Sequence, residues 1–109
     1  MSRNRGRTDS NQTEIIATLR LLGCTVVSLA SIGNGCPDLA VAIQGKTYLV
    51  EVKDGKKSWA FTPDQKDFCL HWDAEIPVLE SIDDAYDFVE SVRKNKLVEW
   101  LKSRITDNV

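Results

Sequence analysis

Residues 37–53, PDLAVAIQGKTYLVEVK, consist of two short apolar runs separated by Gln44 and Gly45. Both runs are rich in aliphatic and β-branched side chains, and the gap between them suits a two-residue turn. The stretch therefore predicts a tight antiparallel hairpin in which Ile43 pairs with Lys46. Side chains alternate between the two faces of such a hairpin, so one face is aliphatic and the other carries the charged residues at its open end.

The same register places two carboxylates opposite each other, because Asp38 lies directly across from Glu51. Opposed positions hold their Cβ atoms about 4.5–5.5 Å apart, close enough for both side chains to bind one cation. Lys53 lies two residues beyond Glu51 and therefore projects from the same face. Like charges opposite each other destabilise an apolar hairpin unless they share a proton or bind a positive ion. We expect Mg²⁺ or Mn²⁺, which prefer oxygen ligands and keep positions for water and phosphate.

This group of side chains predicts hydrolysis of a phosphodiester bond. A bound cation lowers the pKa of a water molecule and neutralises charge on the phosphate, and Lys53 would orient the water or stabilise the transition state. Singly, Asp38 could merely start a strand after Pro37, and Glu51 and Lys53 could be exposed strand charges. Together they favour a catalytic site, because register, face and residue type agree.

Upstream of the hairpin the pattern predicts a helix and a strand. Residues 10–22 carry apolar side chains at helical spacing, with Asp9 or Ser10 as a possible N-cap and Gly23 as the stop. Residues 24–30 are β-branched and apolar, which is typical of a strand.

Downstream, helix caps mark two further helices. Thr62 and Gln65 form a predicted capping box around a proline, and Ser81 begins a second box after a short strand at residues 77–79. The apolar phase shifts after Asn95, which predicts a bend or a further helix. The order of elements predicts an α/β fold.

Length and composition indicate one domain. The chain has 109 residues, of which 42% are hydrophobic, and a formal net charge of -2. We expect a basic N-terminal arm at residues 1–9 and a single domain at residues 10–109. The charge excludes a histone-like or tail-type nucleic-acid binder. No apolar run reaches membrane-spanning length and the N-terminus is polar, so we expect a cytoplasmic protein without a membrane partner, in the host cytoplasm if the protein is viral.

Basic side chains cluster in the arm and in the loop after the hairpin. We predict that these clusters contact DNA phosphates, although a solvated face with a frayed terminus is the alternative. Residues 73–90 contain acidic side chains and no Lys or Arg, so one surface is unfavourable for nucleic acid. The predicted contacts are Arg3, Arg5, Arg7, Lys56 and Lys57.

The three cysteines, Cys24, Cys36 and Cys69, lack a CxxC spacing. This pattern fits neither a disulfide framework nor a common zinc site, so we expect reduced thiols. A zinc site that combines these cysteines with His71 is the alternative.

Apolar residues near the C-terminus favour self-association. Leu97, Trp100 and Leu101 would serve a homodimer, since one active site would otherwise have to act twice to cut both strands of DNA. The tryptophans are assigned to the core or to this interface. Trp59 is the one for which base stacking is a competing role, because it lies in the loop that contains the lysine cluster.

The charged motif resembles the split signature of the PD-(D/E)xK nuclease superfamily, with Pro37-Asp38 followed by Glu51-Val52-Lys53. Residues 35–39, GCPDL, and residues 48–53, YLVEVK, together with Gln65, resemble most closely its VRR-NUC branch, the virus-type replication-repair nucleases. The resemblance covers residues 10 to 72.

The resemblance implies a restriction-endonuclease-like core, with a central mixed β-sheet flanked by helices. It implies that Asp38 and Glu51 are metal ligands, that Lys53 is the catalytic lysine and that Glu14 on the first helix is a further acid of the metal site. Gln65 would lie close to the site, although helix capping alone also explains it. Stand-alone members of the branch resemble this chain in being short. The implied activity is a Mg²⁺- or Mn²⁺-dependent endodeoxyribonuclease, a homodimer that cuts branched DNA such as four-way (Holliday) junctions, with no small-molecule cofactor.

Two other classes of function remain open at this point. A non-catalytic nucleic-acid-binding module of the same fold would bind DNA in a salt-dependent way without cleaving it. A small interaction domain that assembles through its C-terminal helix would not bind DNA even at low salt.

Overall fold

The computed structural model describes residues 11–107, with side chains described as far as residue 105. Within this range, four helices and four strands follow one another along the chain. The predicted basic arm at residues 1–9, with Arg3, Arg5 and Arg7, lies outside the described residues. The elements are α1 Gln12–Leu21, β1 Thr25–Ser28, β2 Leu39–Ile43, β3 Lys46–Val52, α2 Pro63–His71, β4 Val78–Leu79, α3 Ile82–Arg93 and α4 Leu97–Asp107.

The strands form a mixed sheet in the order β1-β2-β3-β4. β1, β2 and β3 are antiparallel neighbours, whereas β4 runs parallel to β3. Helices α1 and α3 pack against the sheet and against each other. The predicted α/β fold with a central mixed sheet flanked by helices is confirmed.

The hairpin of β2 and β3 has the predicted register, with Ile43 opposite Lys46 and Leu39 opposite Val50. Gln44 and Gly45 have φ angles of 52° and 80°, the pair of positive values that a type I′ turn requires. Such a turn matches the twist of the two strands and fixes their pairing.

One face of the hairpin supplies the core. Its side chains are aliphatic and essentially inaccessible to water, and they meet apolar residues of α1 and α3. Burial of each such side chain stabilises the fold by about 1.5–3 kcal/mol. The buried positions are Leu39, Val41 and Ile43 of β2, Val50 and Val52 of β3, Ile15 and Leu19 of α1, and Phe88, Val89 and Val92 of α3.

The opposite face of the sheet is more open. Ala40, Ala42 and Leu49 are partly exposed, and Val27 on the neighbouring strand is mostly exposed. The alternation that buries one set of side chains thus presents the other set away from α1 and α3.

Helix α1 begins later than its sequence pattern predicts, with Asn11 at the N-cap in place of Asp9 or Ser10. The Asn11 side chain does not cap the helix. Its Nδ2 donates to the carbonyl oxygens of Lys53 and Glu80, at 2.9 and 3.0 Å, and so attaches the start of α1 to the ends of β3 and β4. These two long-range contacts hold the start of the helix against the sheet, and local capping preference does not reveal them.

Helices α3 and α4 are separate, as the phase shift predicts, and Asn95 between them has a positive φ of 58°. Ser81 accepts a hydrogen bond from the backbone N–H of Asp84 as expected. The Asp84 carboxylate does not complete the box, because it accepts from the Glu80 N–H and from Arg104 instead.

No helix within the described range is long and apolar enough to cross a bilayer.

The first turns of α4 pack within the chain. Leu97 and Trp100 are partly buried against the core, and the Trp100 ring centroid lies 6.3 Å from that of Phe88. Both residues keep part of their surface exposed, so the predicted role of Leu97, Trp100 and Leu101 in self-association stays a prediction.

Candidate active site

Asp38 and Glu51 meet at the open end of the hairpin. Since Leu39 pairs with Val50, the next pair outward is Asp38 and Glu51. The two residues are also joined by backbone groups, because the Asp38 N–H donates to the Glu51 carboxylate and the Val52 N–H donates to Asp38 Oδ2 at 2.8 Å. The structure thus brings the two predicted acids together.

Glu51 is an acid in a nearly dry position, with only 4% of the residue exposed. Burial, and secondarily the charge of Asp38, raises the pKa of Glu51 to about 7 against the opposing charge of Lys53. A carboxylate in this position is therefore short of compensating positive charge.

Lys53 projects from the same face as Glu51, as predicted. Its Nζ lies 3.6 Å from Glu51 Oε2, and its side chain is 13% exposed. The rings of Trp59 and Phe61 flank the ammonium, with centroids 5.5 and 5.6 Å from Nζ. The electron-rich faces of these rings favour a cation at this distance and limit its hydration.

Gln65 connects this group of charges to helix α2. Its Nε2 donates to Glu51 Oε2 at 2.8 Å, while its Oε1 accepts from Lys53 Nζ at 3.1 Å and from the Thr62 N–H at 3.0 Å. Thr62 in turn accepts from the Gln65 N–H, which completes the predicted capping box. One amide therefore caps the helix and contacts both charged residues, and its part in catalysis stays a prediction.

Gly35 sets the distance between the loop before Asp38 and the first turn of α2. It has a φ of +80°, and a Cβ built on it would lie 2.2 Å from the Asp64 carbonyl oxygen and 2.8 Å from the Gln65 nitrogen. Only a residue without a side chain allows this approach. The glycine-rich loop was visible in the sequence, but the contact with α2 was not.

Glu14 belongs to the first turn of α1. Its side chain is exposed on α1 and lines a hollow with Asp54, Lys56 and Glu80. Among residues 11–107, no three His, Cys, Asp or Glu side chains form a group suited to a metal ion. The structure does not gather Glu14 with Asp38 and Glu51 in this way, so its role in the site stays a prediction from the resemblance.

The zinc alternative has no support in the described part of the chain. Cys24, Cys36 and Cys69 are free thiols and belong to no metal-binding group there. Burial raises the pKa of Cys36 and Cys69, and so does the charge of Glu51. His71 is exposed on α2, with its Nδ1 3.4 Å from Asp67.

Lys56 and Lys57 are exposed on the turn that follows β3. Asp54 organises this turn, since its carboxylate accepts from the Lys56 N–H and lies 3.8 Å from Lys57 Nζ. Both ammonium groups face solvent close in sequence to Lys53. Their contact with phosphates stays a prediction.

The donor set fits a hard divalent cation. Mg²⁺ and Mn²⁺ commonly bind through one or two carboxylates and complete their shell with water and phosphate oxygens. Asp38 and Glu51 supply two opposed carboxylates, and the raised pKa of Glu51 shows that the charge there is incompletely balanced. A divalent ion would supply the missing positive charge.

Comparison with known proteins agrees with this architecture. The sequence matches no protein-family profile, and a search of curated proteins likewise finds no match. In fold, the chain matches a solved structure described as a VRR_NUC domain, with a TM-score of 0.55 and 26% sequence identity. The match covers 72% of this chain and 89% of the other. The chain is similar to a VRR_NUC domain.

The similarity to a VRR_NUC domain supports the resemblance drawn from residues 35–53 and Gln65, and it indicates a nuclease-type domain. The stand-alone viral type and the wider PD-(D/E)xK superfamily stay predictions.

Proposed function

We propose that this chain is a Mg²⁺- or Mn²⁺-dependent DNA endonuclease that prefers branched DNA such as a four-way junction. One observation carries the proposal: buried Glu51 lies opposite Asp38, with Lys53 Nζ 3.6 Å from its carboxylate and Gln65 bonded to both charged groups. The similarity to a VRR_NUC domain supports the nuclease assignment.

Asp38 and Glu51 would hold the cation at the end of the hairpin. When bound, the ion lowers the pKa of a water molecule and offsets negative charge on the phosphate. Glu51 must be ionised to act as a ligand, and its raised pKa means that metal binding competes with a proton near neutral pH. Gln65 fixes the Glu51 carboxylate by donating to Oε2.

Lys53 would hold a non-bridging oxygen of the scissile phosphate or the attacking water. Hydrolysis forms a bond between the water oxygen and phosphorus and breaks the bond to the leaving oxygen, which takes up a proton from solvent as the attacking water releases one. The rings of Trp59 and Phe61 reduce hydration of the ammonium and so strengthen its attraction for the phosphate.

Binding of DNA by a chain of net charge -2 requires local positive charge. Lys56 and Lys57 lie on the turn next to Lys53 and would contact phosphates that flank the cleaved bond. The residues Arg3, Arg5 and Arg7 would add contacts from the N-terminal arm.

Cutting both strands of a junction calls for two active sites, so we propose a homodimer. Leu97 and Trp100 are only partly buried against the core of their own protomer, and together with Leu101 they stay the proposed contact between protomers.

Cleavage of a panel of labelled DNAs tests the proposal. Linear duplex, flap and four-way junction are incubated with protein and Mg²⁺ or Mn²⁺, with EDTA as the blank. We expect metal-dependent cleavage that is fastest on the junction, and loss of cleavage in Asp38→Asn and Glu51→Gln. The matched controls Asp87→Asn and Glu90→Gln, both exposed on α3, should cleave normally. Cleavage that survives Glu51→Gln contradicts the assigned site, and salt-dependent binding without cleavage favours the non-catalytic module.

A further inference from the structure

An aromatic shelf, formed by Trp59 and Phe61, lies beside the proposed active site. The two ring centroids are 5.4 Å apart, with an interplanar angle of 48°. Trp59 is 38% exposed, so part of its indole remains open to solvent. The shelf forms one wall of a hollow of about 460 Å³ whose apolar lining includes Ile76, Val78 and Leu101.

We propose that this hollow receives an unpaired nucleobase of the DNA strand, stacked on the aromatic shelf next to the phosphate held by Lys53. The inference rests on the proposed function and specifies its substrate: DNA that offers an unstacked base near the cleaved bond.

The distance from the shelf to Lys53 supports this occupant. Lys53 Nζ lies 5.5 Å from the Trp59 centroid and 5.6 Å from the Phe61 centroid. Only one sugar separates a phosphate in DNA from its own base. A nucleotide with its phosphate at Lys53 can therefore reach the shelf with its base.

The hollow is lined by ring faces, aliphatic side chains and charged groups of both signs. Lys56 and Lys57 on the preceding turn would meet neighbouring phosphates. The carboxylates of Glu75 and Glu80 at the hollow disfavour a phosphate there, while its ring faces and aliphatic side chains suit an uncharged base. Arg104 offsets part of this negative charge, since it lies 3.4 Å from Glu80. Every base has an aromatic face, so a shelf of this kind binds bases with little regard to sequence.

The indole is fixed in position before any base arrives. Its Nε1 donates to Glu80 Oε1 at 3.1 Å. Arg104 also lines the hollow, and it donates to the Val78 carbonyl oxygen at 2.7 Å and to Asp84 at 3.0 Å. A preformed stacking surface loses little conformational entropy on binding.

Base pairing decides which DNA can use the shelf. A base inside a duplex is stacked on its neighbours and must be extruded before it can reach a side pocket, which costs free energy. Bases in flaps and single-stranded ends are already unpaired, and base pairs at the branch point of a junction open at a lower cost than pairs inside a duplex. The shelf therefore gives a physical reason for preference for branched over linear DNA.

Binding measured in EDTA tests the shelf without requiring cleavage. Dissociation constants for a fluorescein-labelled single strand and for a blunt duplex are determined by anisotropy. Trp59→Ala and Trp59→Leu each remove one base stack. Their dissociation constants for the single strand should therefore be about 5- to 100-fold higher than that of the original protein. Trp59→Phe keeps a ring and should bind nearly as tightly as the original protein. The control Trp72→Ala removes an exposed ring that stacks on Phe68, and it should change neither dissociation constant.

Stacking is distinguished from shielding of Lys53 by a fluorescent base. An unpaired 2-aminopurine in the single strand should be quenched by the original protein and by Trp59→Phe, but not by Trp59→Leu. Thermal melting of each variant establishes that it is folded. The proposal is wrong if Trp59→Leu binds the single strand as tightly as the original protein does. It is also wrong if Trp59→Leu loses as much affinity for duplex DNA as for the single strand.

The two proposals fail in different ways. If the protein cleaves no DNA but still binds single strands in a way that depends on Trp59, the nuclease proposal is refuted and the aromatic shelf is supported. Cleavage with unchanged binding and unchanged flap preference in Trp59→Leu refutes the shelf and leaves the nuclease. Absence of binding to either DNA refutes both.

Discussion

The two faces of the β2–β3 hairpin differ in what they bury. Toward α1 and α3, residues such as Leu39, Val41 and Val50 are aliphatic and dry. On the other face most side chains are small or partly exposed. Glu51 is the exception, because this acidic residue is only 4% exposed. Burial stabilises the fold on the first face and costs free energy on the second.

This difference separates folding from function within one pair of strands. The aliphatic face buries apolar side chains, as expected for a half-buried strand. The other face buries one acid opposite a second acid, which is unfavourable for folding. Local rules are broken where a site requires it, and the surrounding structure must offset the cost. Changes on the two faces should accordingly have opposite effects on stability.

The largest loss of stability is expected on the aliphatic face. Phe88 is fully buried and lies edge-on to Tyr48, with ring centroids 5.6 Å apart. Phe88→Ala should lower the free energy of unfolding by about 3–5 kcal/mol, as measured by urea denaturation. The neighbouring exposed Tyr86→Ala should change it by less than about 0.5 kcal/mol. Equal effects would show that the core lies elsewhere.

A smaller loss is expected where the loop meets α2. Gly35 and Gly33 both have positive φ angles, of 80° and 74°, but a Cβ on Gly33 meets nothing within 4 Å. Both substitutions by Ala carry backbone strain, and Gly35→Ala adds a clash with Asp64 that should cost about 1–3 kcal/mol more. Gly35→Ala should also slow cleavage, because it displaces Gln65. Denaturation and cleavage rates that match between the two variants contradict this arrangement.

On the charged face, removal of charge should stabilise the metal-free protein. The pKa of Glu51 is about 7 in the folded chain and about 4.3 in an unfolded chain. The folded state thus binds the proton more tightly, and the stability this contributes at low pH is lost as pH rises from about 4.3 to about 7.

Glu51→Gln should therefore be more stable than the original protein at pH 8 in EDTA, by about 2 kcal/mol once residual hydration is allowed for, and no more stable at pH 4. Urea denaturation at the two pH values measures this. The exposed Glu90→Gln should show no such gain. If the difference in free energy of unfolding between Glu51→Gln and the original protein is the same at pH 4 and pH 8, the pKa of Glu51 is not raised by folding.

The smallest stability effect separates the two roles of Gln65. Thr62→Ala removes the hydroxyl of the capping box and should cost about 1 kcal/mol. Gln65→Ala should cost a similar amount but reduce cleavage much further, because it also frees Glu51 and Lys53. If both variants cleave at the same rate, Gln65 acts through the helix alone.

Local patterns were sufficient to predict much of this structure. The turn at Gln44 and Gly45 fixes the register, and the register alone places Asp38 opposite Glu51. The capping box at Thr62 and Gln65 was equally readable, since it needs only four consecutive residues.

Long-range contacts explain what the sequence did not reveal. The role of Glu14 stays a prediction, because it lies at the edge of the apolar stripe of α1 and the sequence does not decide which way that edge faces. Asn11, Gly35 and the aromatic shelf depend on partners far along the chain or in segments without periodicity. No local rule identifies such partners.

Binding of Mn²⁺ at pH 8, followed by the electron paramagnetic resonance signal of the free ion, tests the central claim most directly. We predict that the protein takes up Mn²⁺ and that Asp38→Asn and Glu51→Gln each abolish this uptake, while Glu90→Gln leaves it intact. Uptake that persists unchanged in Asp38→Asn or Glu51→Gln would contradict a metal site shared by the two strands.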